Sequence, residues 1–487
     1  MKNSFLLLGT AVLAACAAIP DASERYIDNR NALFSTVADA PGEWSASGVA
    51  GQAPSADWLS QFNDPQMTAL VAEALAANPT LEARAALTRA AQARARAARG
   101  QRWPSLSASV SGGSTSTGVI IGGEEKQIQN SVYSANLDAS WEADLWGRVS
   151  NSVAQADADR AASEADLAAA ELSITAQTAG AWIALNEALA QERIAGLSFA
   201  ARDRVLTITD RRVRSGISGP LELRTARSQL AAAEATIAAR RQFSAEATRR
   251  LEVLLGRYPG AELTSTTDLP ELELIKAEGN PALLLTRRPD VAALEARVVS
   301  AGLAAEEARL AMLPALRLSA AASGGASTFE DAVDPALIAA RMIAGLTQPL
   351  FAGGRLRAQQ AAAIAQAEAA VANYAGGVLN AWREVEDALT ADVLLAQQEA
   401  AQSVAFEEAK FAEDLAERQY VSGTITIFDL IDAQTRRLNA ESQFVSARAG
   451  RATNRISYHL ALGGGVPVSP ATDTQPDADA EEDGRSQ

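Results

Sequence analysis

One cysteine and one histidine occur in 487 residues. That excludes a disulfide framework and a Cys/His zinc site. His459 is the single candidate for histidine-dependent catalysis. No G-x-S-x-G elbow and no Walker-type loop is present, so no enzyme, cofactor or metal centre is expected. Basic residues are in the minority: 43 Lys and Arg against 59 Asp and Glu leave a formal charge of −16. A nucleic-acid partner is not expected, because phosphates need a basic stripe. Aromatic residues are 5% of a chain that is 48% hydrophobic. The apolar mass is largely Ala and Leu, which favours long, closely packed helices. Beyond the extreme N-terminus no run of about 20 apolar residues occurs, so no transmembrane helix is expected in the mature chain.

The N-terminus reads as an address. Lys2 supplies a positive start, and Phe5, Leu6, Leu7, Leu8, Ala11, Val12 and Leu13 form a short apolar stretch. Leu13-Ala14-Ala15-Cys16 then resembles a bacterial lipobox. Residues 1–15 are expected to be a lipoprotein signal peptide, with Cys16 the lipidated first residue of the mature chain and 16–57 a linker. Ala17, where Asp is absent, fits sorting to the outer membrane. A lone acyl chain holds a membrane only marginally, so a second attachment is expected. At the other end, residues 466–487 carry Asp473, Asp477, Asp479, Glu481, Glu482 and Asp483, an acidic tail expected to be disordered.

Between these ends the chain repeats itself. Pro79 and Pro289 are 210 residues apart, and so are Pro104 and Pro314. Further on the offset becomes 207: Arg148 maps to Arg355, Ser215-Gly216 to Ser422-Gly423, Leu255-Gly256 to Leu462-Gly463. We read two tandem repeats, 58–256 and 280–465, joined by a connector over 257–279.

Each repeat contains two segments of period 2, expected as strands at about 104–114 and 132–142, then 315–324 and 337–348. Tyr133, Ala135, Leu137, Ala139 and Trp141 alternate with Ser134, Asn136, Asp138 and Ser140, giving one greasy and one polar side. About ten residues is what a tilted strand needs to cross a bilayer. A half-buried hairpin shows the same pattern. Gly- and Ser-rich 111–131 and 324–336 are expected as loops. Four strands cannot close a barrel, and an open edge in lipid leaves costly unpaired backbone groups. Membrane strands would therefore be shared between copies: two copies give 8, three give 12. Trp141, Trp146 and Tyr133 fit either an interfacial belt or junction packing.

No proline interrupts 149–213, which predicts a helix of about 98 Å from Arg148 to the turn at Ser215-Gly216. The second repeat predicts its counterparts at about 355–421 and 425–462. Trp182, Leu185 and Leu189 have the spacing of a packing seam.

Trp58-Leu59-Ser60-Gln61-Phe62-Asn63-Asp64-Pro65 followed by Asn78-Pro79 resembles the opening of the TolC family. Trp141-Glu142-Ala143-Asp144-Leu145-Trp146-Gly147-Arg148 is similar to the strand-to-helix junction of its NodT/OprM-type outer membrane lipoproteins. Gly345-Leu346-Thr347-Gln348-Pro349-Leu350-Phe351 resembles the second junction, and Phe428-Asp429-Leu430-Ile431-Asp432 and Ala461-Leu462-Gly463 fit too. The resemblance implies a mixed α and β membrane protein. Its form would be a homotrimer whose shared 12-stranded transmembrane β-barrel continues into a long periplasmic α-helical barrel. It implies a passive exit duct for drugs or other small molecules, partnered by a periplasmic adaptor and an inner-membrane pump of the resistance-nodulation-division (RND) type. A duct for type I protein secretion and a periplasmic coiled-coil scaffold without a pore are the alternatives.

The same resemblance suggests site residues. The turns holding Gly216, Gly219, Gly423 and Thr424 correspond to adaptor-docking tips. Phe428 and Asp432, four apart and so on one helix face, correspond to an apolar constriction and a pore-facing carboxylate. Three copies would make a greasy ring and an acidic ring, which can close by dewetting and favour cations. One departure stands out: a basic residue often lies three positions after that Asp, and here it is Thr435. Arg436 or Arg437 would have to supply any ion-pair lock. The first repeat offers Leu221 and Thr225 instead. The plain alternative is a solvated Asp429/Asp432 pair at a helix N-terminus, where carboxylates are favoured.

Overall fold

The computed structural model describes residues 43–46, 58–122, 124–265, 267–276 and 280–464. The lipobox with Cys16, most of the 16–57 linker and the 466–487 tail lie outside these residues. In chain order the elements are α1 (Pro65–Ala77), α2 (Pro79–Gly100), β1 (Ser105–Ile121), β2 (Glu124–Ala143), α3 (Arg148–Arg214), α4 (Pro220–Leu254), α5 (Pro281–Arg287), α6 (Pro289–Leu310), β3 (Ala315–Ala326), α7 (Phe329–Ala332), β4 (Ala339–Thr347), α8 (Arg355–Ser422) and α9 (Ile427–Ala461). No described helix is long and apolar enough to cross a membrane. Two compact units divide the described residues. One holds Leu87–Glu164 with Ala293–Gly376; the other holds Asp39–Ala86, Ala165–Ala292 and Gly377–Gln487 as far as they are described.

The first unit carries one antiparallel sheet in the order β1-β2-β3-β4. Its register sorts the alternating residues by face. Ala108 lies opposite Leu137, Leu137 opposite Ala322, Trp141 opposite Leu318, and Ala320 opposite Met342. Leu106, Val110, Leu137, Met342 and Leu346 thus share one apolar face and are exposed on it, Met342 at 88%; α7 (Phe329–Ala332) covers only its end at Tyr133 and Gly324. The opposite face is a hydroxyl ladder, with Ser105 and Ser140 side chains 2.8 Å apart and Ser111 and Ser134 likewise 2.8 Å apart. The outer edges of β1 and β4 have no strand partner among the described residues.

Two strands outrun their expected ends. Residues 111–131 do not form a loop: β1 and β2 stay paired from Ser105–Ser140 to Ile121–Glu124, with the reversal at Gly122 (φ 66°). Beyond Tyr133 the apolar side turns polar at Ser131, Gln129 and Gln127, while Val132 and Ile128 fall on the opposite side. Binary alternation disappears there, while backbone pairing, which is indifferent to side-chain polarity, continues. Residues 324–336 are also not a plain loop, since β3 reaches Ala326 and α7 follows. Strand β4 starts at Ala339 rather than 337, because Pro335–Leu337 forms a 3-10 turn.

The junction after β2 is built from side chains of the Trp141–Arg148 motif. Asp144 accepts the amides of Val149 and Ser150 at 2.8 and 2.9 Å and so caps α3. Arg148 reaches back to Glu142 at 2.8 Å. The indole N–H of Trp141 donates to the Arg102 carbonyl and that of Trp146 to the Pro314 carbonyl. Both indoles are therefore tied to the junction by a hydrogen bond, while Trp146 stays 48% exposed.

In the second unit the opening motif is the core. Trp58 and Phe62 are buried with Met67, Leu70, Trp182, Leu185, Leu251 and Ile456. Asp64 caps α1 through the Met67 amide and takes the Trp182 indole N–H at 2.6 Å. The connector adds no helix or strand over its described residues. Side chains hold it instead: Glu252 accepts three successive amides, Ala261, Glu262 and Leu263.

Candidate functional site

Both interhelical turns of the second unit end their long helix in the same way. Gly216 (φ 75°) and Gly423 (φ 81°) occupy the left-handed region. Ile217 donates to the Arg212 carbonyl and Gly216 to Val213; Thr424 donates to Gln419 and Gly423 to Tyr420. This paired 6→1 and 5→2 bonding is what a C-terminal glycine permits. The turns touch through Arg212, whose guanidinium donates to the Tyr420 carbonyl at 2.8 Å and lies 5.0 Å from the Tyr420 ring centroid. Beneath, the Tyr420 hydroxyl meets Thr209 Oγ1 at 2.8 Å in a buried contact.

After the turns the two repeats diverge. Gly219 precedes Pro220 with no side-chain cap. Thr426 instead caps α9 in a capping box with Asp429. Hydrogen bonds from the Thr426 hydroxyl and amide hold the Asp429 carboxyl below the usual carboxylate range. Asp429 is thus committed to the cap. Gly216, Gly219, Gly423 and Thr424 are all exposed.

Ile427 and Leu430 are buried on the inner face of α9, which leaves Phe428 and Asp432 together on the outer one. Phe428 is 51% exposed. Arg436 Nε donates to Asp432 Oδ2 at 2.7 Å, one turn further along that face. Arg437 is unavailable, held by Glu413 at 3.1 Å and Glu441 at 3.0 Å. The Asp432–Arg436 pair lies in solvent, and an i,i+4 pair of that kind contributes about 0.3–0.5 kcal/mol. So weak a pair restrains neither residue from taking another partner.

Two features have no counterpart among the sequence expectations. Ile217 and Val421 expose apolar side chains around the glycine turns. Isolated apolar residues inside polar turns carry no periodic signal. The second is a buried ionic network of α8 and α9 with the connector, centred on Asp392, which accepts the Ile275 amide at 2.7 Å. His459 is a packing residue: it stacks on Trp58 at 5.2 Å, and its Nε2 lies 3.2 Å from Gln61 Oε1. Burial, with Arg455 beside it, pushes its pKa down to about 3. It stays neutral at physiological pH.

The family described as "Outer membrane efflux protein" matches residues 70–257 and again 280–464. Over 422 residues the chain is 32% identical to the pyoverdine export outer membrane protein OpmQ of Pseudomonas putida, covering 85% of this chain and 88% of that protein. Over 411 residues it is 26% identical to the cation efflux system protein CusC of Escherichia coli K12, covering 84% and 89%. The solved outer-membrane channel OprN superposes with a TM-score of 0.78 at 28% identity, across 87% of this chain and 96% of that one.

Proposed function

The chain belongs to the outer membrane efflux protein family, and from that premise we propose that three copies close their sheets into one 12-stranded barrel and form a passive exit duct. The fold is that of the TolC-like channels, and the protein is the outer-membrane component of a tripartite efflux system. The carrying observation is the four-stranded sheet with one exposed apolar face and two unpaired edges. Each unpaired backbone group in hydrocarbon costs several kcal/mol, and only closure removes them. The long helices continue the wall as a periplasmic tunnel.

At the tunnel end, three copies of Phe428 make an apolar constriction and three of Asp432 an acidic ring. The exchangeable Arg436 pair lets each Asp432 face the pore or a neighbouring copy. Asp432→Ala is expected to raise single-channel conductance in planar bilayers and to remove block by divalent cations. Unchanged conductance and block would take Asp432 out of the constriction.

The exposed turns at Gly216, Gly219, Gly423 and Thr424, with Ile217 and Val421 beside them, are the docking tips for a periplasmic adaptor, which connects the duct to an inner-membrane RND-type pump. Relatives named for pyoverdine export and cation efflux support small molecules, rather than secreted proteins, as the cargo. Cys16 anchors the mature chain by a lipid and supplements the barrel. Cys16→Ser is expected to abolish fatty-acid labelling while trimers still reach the outer membrane; persistent labelling would rule out the lipobox.

A further inference from the structure

We propose that Asp138 and Arg341 form opposed charge rings on the barrel's inner wall, and that these rings orient dipolar and zwitterionic solutes passing through; this rests on the shared-barrel reading above. Lumen-facing residues of a barrel set what its pore selects. Alongside the apolar band, the polar face of the sheet carries four charged residues: Asp138, Glu142, Arg317 and Arg341. Glu142 and Arg317 face each other at 3.7 Å, and Glu142 also binds Arg148. They form a neutralised cluster at the junction.

Asp138 and Arg341 differ. Both are exposed, and neither has an ion pair among the described residues. The register sets them in one cross-strand row: Asp138 opposite Ala321, and Ala321 opposite Arg341. Only the methyl of Ala321 stands between them. Two strand spacings separate them by about 10 Å, too far to pair directly but close to the Debye length of about 8 Å. In a barrel of three copies every β2 carries the acid and every β4 the base, so the sign alternates at every second strand. A strand tilt of about 40° displaces the two rings by about 6 Å along the axis. The rings cancel in net charge, so they do not sort solutes by net charge. The field between them aligns a solute that carries both signs.

The test uses the full chain in outer-membrane vesicles. Cys16 is its one cysteine, so the chain without an added cysteine is the blank. Ala321→Cys, between the two charges, is treated from outside with a cationic and with an anionic methanethiosulfonate. Both should react, while Ala320→Cys on the apolar face should not. Adding Asp138→Asn to the Ala321→Cys chain should speed the anionic reagent and slow the cationic one, each about threefold. Arg341→Gln should do the reverse, and Arg341→Lys should restore the original rates. The shifts should collapse at 1 M salt. If the thiol at position 321 reacts and the one at position 320 does not, but neither neutralisation moves the rates, the rings are overturned and the barrel stands. If the thiol at position 320 reacts as fast as the one at 321, the barrel reading falls and the rings with it.

Discussion

Leu137→Arg is expected to deplete the protein from the outer membrane, whereas Asn136→Arg, one residue earlier, should still assemble. Leu137 lies midway along the apolar face between Tyr133 and Trp141, with Ala108 and Ala322 across from it. A barrel guanidinium facing lipid at mid-membrane costs about 2–4 kcal/mol. Three copies would impose that cost three times on one assembly. Asn136 points to the other face, where its side chain meets Ser109. An arginine there enters water. The readout is heat-modifiable trimer recovered in outer-membrane fractions. Equal recovery of both variants would mean that the apolar face does not meet lipid, and the sheet would then need another partner for Met342, Leu106 and Leu346.

That contrast depends on a feature legible in the amino-acid order alone, the strict alternation of Tyr133–Trp141. The opening motif is equally legible, because its residues answer to local demands. Trp58 and Phe62 fill the core, Asp64 caps, and Pro65 starts the helix. The two glycine turns are plain for the same reason, since a left-handed residue at a helix end is a local demand. Where demands are not local the sequence is quiet. Hairpin residues 111–131 pair through the backbone and through polar side chains such as Ser116 with Gln127 and Gln129 with Ser114, and the alternation of Tyr133–Trp141 does not run through them. Helix spacing favours Arg436, four residues on, over Arg437, five on, as the partner of Asp432. What spacing does not reveal is Glu413 on α8, which occupies Arg437 from a different element.

The buried network around Asp392 is the extreme of that silence. Asp392, Glu399, Arg448, Arg451 and Arg455 each read as a solvated charge on a long helix. In the fold Asp392 is 1% exposed, with Arg455 at 3.7 Å, Arg451 at 3.9 Å and the Ile275 amide at 2.7 Å. Arg451 continues to Glu399 at 2.9 Å, and Arg455 donates to the Glu273 carbonyl. One carboxylate therefore ties α8 to α9 and pins the connector to both.

Asp392→Ala should cost about 3–5 kcal/mol, because two buried guanidiniums lose a shared counter-charge. Asp392→Asn should cost less, since its amide oxygen still accepts from Ile275. Thermal unfolding of detergent-purified protein measures the loss. Limited proteolysis should show new cleavage near Glu273–Lys276 in the alanine variant, because the connector has no helix or sheet bonds to hold it once the side-chain bonds go. An alanine variant with unchanged melting and no new cleavage would mean that packing alone holds the connector. An ionic clamp of this kind is a costly way to gain stability, since well-packed apolar residues often do as well. What it adds is position: each guanidinium fixes a carbonyl or carboxylate by direction as well as distance. The connector is held at one register against two helices, which a greasy contact of Ala and Leu would leave free to slide.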